Sequence, residues 1–164
     1  MTDAGVVLGL FVAAAAGSPM QAREAVLVVP GRGLEGDRYA AGTGTYSGLP
    51  GTGRDVTLVE QEVLDAVGAE CGIRLAGVET RRNVLTRGVA LNDLVGRRFA
   101  VGEVELVGAR LAEPCAHLER LTRPGVRSAL VHRGGLRAEV VRGGVVRLGD
   151  PVSEVTAAAA SAGV

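Results

Sequence analysis

The sequence predicts a mainly β single domain, a barrel or sandwich of short strands carrying a few short peripheral helices. Three observations point there. The 47% hydrophobic share comes almost wholly from Val, Leu and Ala, with no Trp and only two Phe and two Tyr, so the core is aliphatic, and Val-rich segments favour strands. Short apolar runs recur between corners drawn from 25 glycines, which is the pattern of barrels and sandwiches. Helix and strand alternate too sparsely for a doubly wound sheet. A chain of 164 residues has the size of one domain and can bury a core without disulfides or metal staples.

Val6 to Val12 reads as a strand and Ala25 to Val29 as a second, joined by a small-residue turn around Gly17, Ser18 and Pro19,. The apolar run at 6–20 also invites a signal-peptide reading. The residues before it (Thr2, Asp3, Ala4, Gly5) bring no basic charge, and it is shorter than the roughly 20 residues that cross a bilayer, so a buried first strand is expected,. Gly31 to Gly53 is the glycine-richest stretch and reads as a long loop system, of the kind that carries function,.

Val56 to Val59 follows as a short strand, and EQEVLDAVGAECG (60–72) as the clearest helix. Val63, Leu64 and Val67 share a face, acids crowd the first turn, and Gly72 stands where a left-handed glycine ends helices,. Asn83 to Leu85 reads as a strand, followed by turn-rich GVALNDLVG. RRFAV, the turn Gly102-Glu103 and VELVGARL form a predicted hairpin,. PCAHLERL is expected to be a short helix with Pro114 at its first position,, and VRSALVHR a second one ending at Gly134-Gly135. LRAEVV and VVRL flank Gly143-Gly144, which signals a second hairpin,. One domain over residues 1–156 is expected, with 157–164 an unpacked tail,.

Composition excludes several functions. Acidic and basic residues balance at 18 each, and with so few aromatics for base stacking nothing predicts a nucleic-acid partner or a membrane surface. Every basic residue is Arg. Without a lysine amine the chain cannot hold pyridoxal phosphate as an internal aldimine, nor form a P-loop. Anions must be met by guanidinium forks or backbone amides. Two cysteines, Cys71 and Cys115, are too few for a disulfide scaffold and suggest a reducing, cytoplasmic compartment,.

Cys115 lies in AEPCAHLE. In the first turn of a helix it would face unpaired N–H groups, which favour the nucleophilic thiolate. The plain alternative is a small buried hydrophobe, as most unbridged cysteines are. His117, two residues on, cannot share an i, i+4 face with it but can reach the same pocket. Cys71, at a helix end before Gly72, is read as packing. A polar group stands beside these: Asp37 and Arg38 in GLEGDRY, Arg54 and Asp55 in GRDV, Arg81, Arg82 and Asn83 in TRRNV, and His132 and Arg133 before Gly134-Gly135. A charged loop residue is usually just solvated, which suits Arg32, Arg97 and Arg98. Glycine-flanked arginines recurring at strand ends beside one Cys suit an anionic, sulfur-bearing or metal-bearing ligand. No CxxC or HExxH provides a zinc site, but a metal brought by an organic cofactor and completed by one thiolate is compatible.

The ordered set GLEGDRYA, GRDVTLVEQEVLDAV, RRNVLTRGVALNDLVGRRFAVGEVELVG, EPCAHLE and GGVVRLGDPV resembles the MOSC domain, the carboxy-terminal domain of eukaryotic molybdenum-cofactor sulfurase, which also exists as small bacterial proteins. The resemblance spans about Val6 to Val155 and rests on the order of all five pieces. It implies a mixed β-barrel with peripheral helices. It implies that Cys115 carries sulfur or ligates molybdenum, that Arg81 and Asn83 form the family's Arg-x-Asn element, and that Gly36, Asp37 and Arg38 form its Gly-Asp-Arg element. Where the molybdenum-binding branch often carries a second Cys or Arg beside the key thiol, this chain has Glu113, Pro114, Ala116 and His117.

Three functions follow as expectations. The first is a sulfur carrier: a separate pyridoxal-phosphate cysteine desulfurase loads Cys115 as a persulfide, which passes to molybdenum cofactor or a metal-sulfur centre, with Asp37, Arg38, Arg54, Arg81, Asn83, His117 and Arg133 around the ligand. The second is a molybdenum-cofactor reductase of N-hydroxylated or N-oxide compounds with Cys115 on the metal. The third is a non-catalytic ligand-binding barrel in which Cys115 is merely buried.

Overall fold

The computed structural model describes residues 4–40 and 55–155. Arg54, most of the expected glycine-rich loop (41–53) and the tail at 157–164 lie outside the described residues. Strand β1 (Gly5–Val12) is buried along most of its length, as its unbroken apolar run requires,. It pairs with β2 (Gln21–Arg23) and, antiparallel, with β6 (Val84–Arg87). β6 runs parallel to β5 (Val56–Glu60), which pairs antiparallel with β9 (Leu136–Arg142). The order continues through β8 (Val104–Leu111) and β7 (Arg98–Val101) to β11 (Pro151–Glu154). β11 returns to β1 through Gly5↔Val152 and Val6↔Pro151, closing a mixed barrel of seven strands. A small sheet of β10 (Gly144–Arg147), β3 (Ala25–Val29) and β4 (Gly33–Leu34) covers one side.

Two apolar cores divide the molecule. The barrel interior is filled by aliphatic side chains around Phe99, among them Leu10, Val56, Leu58, Val84, Leu106 and Leu136. The second lies outside the barrel wall, where Val59 and Leu85 meet α1 (Gln61–Cys71), α2 (Ala116–Leu121) and α3 (Val126–Ala129) through Leu64, Val67, Leu118, Val126 and Leu130. Alternation explains the split. Leu58 and Val84 face inwards while the next residues, Val59 and Leu85, face the helices,.

The expected strands, the helix at 60–72 and the hairpin at 97–111 are all present. Gly72 ends α1 at φ 69°, the left-handed conformation expected of it,. Three expectations are corrected. LRAEVV and VVRL do not form a hairpin: β9 belongs to the barrel and β10 to the small sheet, so Gly143-Gly144 is a corner between sheets. A Cβ on Gly143 would stand 2.5 Å from the Val28 carbonyl, so the corner needs glycine for its close approach to β3,. The helix at 126–133 stops at Ala129, because the chain turns to bring Arg133 N–H to the Leu130 carbonyl. Pro114 is not the first helical residue: α2 begins at Ala116 with Cys115 in the capping position.

Candidate functional site

The site begins where the chain enters β6. A 3-10 turn at Gly77–Thr80 ends at Arg81, which adopts φ 65°. A non-glycine residue in this left-handed region is held there by its surroundings, at a cost on the order of 1 kcal/mol. The reversal sends two adjacent guanidiniums different ways. Arg81 donates from Nη1 to the Ser18 carbonyl. Arg82 is buried and donates from Nε to the Gly134 carbonyl at 2.9 Å and from Nη2 to the Ala112 carbonyl at 2.7 Å.

Those carbonyls flank the segment that carries Cys115. Ala112 leaves the end of β8 and donates its N–H to the Gly135 carbonyl at 2.8 Å. A Cβ on Gly134 would stand 2.5 Å from the Ala112 carbonyl oxygen, and one on Gly135, at φ 120°, would stand 2.1 Å from that of Leu58. Only glycine at both positions lets the two segments and the barrel wall meet this closely. On the outer side, Glu113 accepts the His132 backbone N–H at 2.6 Å and contacts His132 Nδ1 at 2.7 Å.

Cys115 caps α2 with extended backbone, φ −134° and ψ 170°. It is half-buried and packs at the edge of the second core. Its helix has six residues, so little field comes from helical dipoles. The strong local charge is Arg82. Burial pulls the Arg82 guanidinium down to about 10, Arg137 adds to the fall, and Cys115 and then Tyr39 oppose it. No carboxylate is paired with Arg82 among the described residues.

A second group joins this one through Arg81. Asp37 is buried and its Oδ1 accepts the Ala13 N–H at 3.0 Å and Arg38 Nη1 at 2.9 Å, while Oδ2 accepts the Tyr39 N–H at 3.2 Å. Arg38 donates from Nη2 to the Arg81 carbonyl at 3.4 Å and lies over the Tyr39 ring at 4.9 Å. Burial lowers the Arg81 guanidinium, the Arg38 charge lowers it further, and Asp37 and Tyr39 oppose both. Arg38, Arg81 and Arg82 thus share one neighbourhood, in which Asp37 is the carboxylate ion-paired to Arg38. Such a surplus of sheltered positive charge suits an anion.

The other predicted residues fall differently. Asn83 is buried with its amide directed into the barrel wall: Oδ1 accepts the N–H and hydroxyl of Thr57, each at 3.1 Å, and Nδ2 donates to the Phe11 carbonyl at 3.1 Å. It therefore holds Arg81 and Arg82 in place. Arg133 is turned to Glu70, at 2.9 Å, and to the Ala129 carbonyl. His117 is half-buried in the first turn of α2. Cys71 is exposed at the end of α1, where packing was expected, and no disulfide joins it to Cys115. An open recess of about 580 Å³ touches the group at Asp37, with Arg32, Glu35 and Ala40 in its wall, but Cys115 is not among its lining residues. Arg81, not Arg82, is the site residue that the sequence leads one to expect. Arg82 lies before β6 begins, so no local pattern in the sequence signals its burial.

Among the described residues no three His, Cys, Asp or Glu side chains come together as a metal site, and no helix is long and apolar enough to cross a membrane.

Comparison with known proteins supplies the family. The MOSC domain model matches residues 38–153. The structure is similar to that of YuaD from Bacillus subtilis, with 21% identity, a TM-score of 0.73, and 90% of this chain covering 94% of that one. It is also similar to YiiM from Geobacillus stearothermophilus (15% identity, TM-score 0.64, 94% of this chain and 75% of that one). YiiM from Escherichia coli gives 18% identity and a TM-score of 0.64, covering 95% of this chain and 70% of that one. A search of curated proteins finds no match. The family model starts at Arg38 and takes in Arg81, Arg82 and Cys115, and on that match the chain belongs to the MOSC domain family.

Proposed function

We propose that the protein is a sulfur carrier that accepts a sulfur atom on Cys115 and hands it to molybdenum cofactor or another metal-sulfur acceptor. The observation that supports this reading is a half-buried thiol beside a buried guanidinium that has no carboxylate partner among the described residues. The thiolate is the attacking form of a cysteine, and a neighbouring cation is one of the features that accompany reactive thiols. A pyridoxal-phosphate cysteine desulfurase would be the donor, presenting its own persulfide. The Cys115 thiolate attacks the outer sulfur; a new S–S bond forms as the donor's S–S bond breaks, the donor leaves as thiolate, and Cys115 is left persulfidated. Arg38 and Arg81 would hold an anionic group of the acceptor. Incubation with a desulfurase and cysteine, followed by peptide mapping, is expected to find one added sulfur on the Cys115 peptide. An unmodified Cys115 under conditions that load a known acceptor would overturn the proposal.

The cationic surplus also favours a second reading, a reductase of N-hydroxylated or N-oxide compounds that keeps the cofactor. The donor chemistry fits a molybdenum-bearing pterin: Cys115 offers one soft ligand, and Arg38 and Arg81 offer guanidiniums to its phosphate. Bound there, that group would supply the electron-transfer chemistry, while this chain binds and orients it. Stoichiometric molybdenum and pterin in protein from a cofactor-competent host, lost in Cys115→Ser, would favour this reading over transient sulfur carriage.

A further inference from the structure

We propose that Glu113 and His132 are positioning residues for Cys115, a surface latch that holds the segment carrying the thiol. The latch rests on the reading of Cys115 as the working atom and adds what keeps that atom in place.

Residues 112–115 belong to neither β8 nor α2, so no ladder or helix fixes them along their length. The inner end is tied down. The Ala112 N–H meets the Gly135 carbonyl at 2.8 Å, and the Ala112 carbonyl accepts Arg82 Nη2 at 2.7 Å. The outer end leads into a helix of six residues, anchored in the second core by Leu118. Between the two ends stands Glu113. Its Oε1 accepts the His132 backbone N–H at 2.6 Å, and its Oε2 lies 2.7 Å from His132 Nδ1.

His132 is a firm post for that contact. Its φ is 62°, and Arg81 is the other non-glycine residue in the left-handed region among the described residues. Such a conformation persists where its surroundings hold it. Here the Asn92 amide donates to the His132 carbonyl at 2.9 Å. The next residue, Arg133, is bound to Glu70 and to the Ala129 and Leu130 carbonyls. The thiol segment is thus moored to a loop that is itself fixed from elsewhere in the fold.

Magnitude separates a local role from a global one. Both side chains are exposed, and an exposed ion pair adds little to the stability of a whole fold,. Opening of one short segment is a smaller equilibrium, in which two bonds to a carboxylate count for much. Attack by a sulfur atom is sensitive to its placement, so the latch acts on reactivity through position.

Hydrogen exchange and alkylation test this. The Glu119 N–H is bonded to the Cys115 carbonyl at 3.2 Å and reports on the segment. In Glu113→Ala its exchange is expected to quicken about tenfold, while amides of β5 and β9 keep their native rates. Iodoacetamide alkylation is read at about pH 10.5, where both thiols are ionised in every variant. Exposed Cys71 serves as internal standard. The ratio of Cys115 to Cys71 rates should rise about three- to tenfold as the half-buried sulfur gains exposure, with melting near the native value. Native exchange and a native ratio in folded Glu113→Ala overturn the proposal, and so does faster exchange spread across the barrel. Should Glu113→Ala fail to fold, His132→Gly decides, since it suits the left-handed backbone and removes the ring,. The same two rates should rise in it, and unchanged rates overturn the latch. Neither measurement uses a sulfur donor, so failure of persulfide loading and failure of the latch are distinct results.

Discussion

The side-chain oxygen of Asn83 accepts both the backbone N–H and the hydroxyl of Thr57, each at 3.1 Å, and its amide nitrogen reaches the Phe11 carbonyl. One buried amide thereby ties β5 and β1 to the residue that precedes β6 and follows Arg82. Asn83→Ala strands these groups in the barrel wall, and each unsatisfied one costs about 1–3 kcal/mol. The expected result is a loss of about 3 kcal/mol in urea unfolding with an unchanged slope.

Asp37 and Arg38 form a buried ion pair at 2.9 Å. Removing one partner leaves the other charge without its counter-ion, so Asp37→Ala is expected to cost about 3–5 kcal/mol by thermal or denaturant unfolding. Because Arg38 also holds the Arg81 carbonyl, the same variant should weaken any anion bound by Arg81. Calorimetry with inorganic phosphate, at a temperature where the variant remains folded, checks that second effect.

Gly134→Ala is expected to act on the thiol from a distance. The new Cβ would stand 2.5 Å from the Ala112 carbonyl that Arg82 Nη2 binds. Overpacking of this kind costs about 1–3 kcal/mol. Displacement of that carbonyl should also slow Cys115 alkylation at pH 7, a readout that simple destabilisation would not lower.

Two glutamates give opposite pH dependences. Burial raises the Glu60 carboxyl above the ordinary range, against the Leu91 N–H that it accepts, and Glu62 and Asp93 add to the rise. A raised folded value favours folding below the unfolded value, and that contribution is lost as pH rises through the folded one. Glu60→Gln should therefore raise the melting temperature at pH 7 and give no gain in acid, below the ordinary carboxyl value. Glu79 is lowered, first by the Ala76 N–H and also by Arg123. Its contribution is present above the unfolded value and lost as pH falls through the folded one, so Glu79→Gln should lower melting at pH 7 and have no effect in strong acid.

Most of the barrel was legible because its strands carry their own signal. The run VVLGLFV, the VTLV segment and the Gly102 hairpin are local patterns, and all three became strands. Pairing is not local. Gly143-Gly144 has the composition of a hairpin turn, yet the contact that decides it is with Val28, more than a hundred residues earlier. β2 and β11 were missed because Gln21–Arg23 has no apolar alternation and Pro151 opens a strand in a position that suppresses the usual reading,. Within the site, Cys115 stood out by chemistry alone. Arg82 did not, since adjacent arginines look alike until the φ of 65° at Arg81 separates them. Asn83 was read as a ligand-facing polar residue because sequence cannot show that Thr57 lies opposite it.

Sulfur carriage is proposed for Cys115 and not for the exposed Cys71. Intact-mass measurement after incubation with a desulfurase and cysteine, made on Cys71→Ser and Cys115→Ser side by side, tests it most directly. One added sulfur is expected on Cys71→Ser and none on Cys115→Ser. Equal loading of the two, or loading of Cys115→Ser alone, would contradict it.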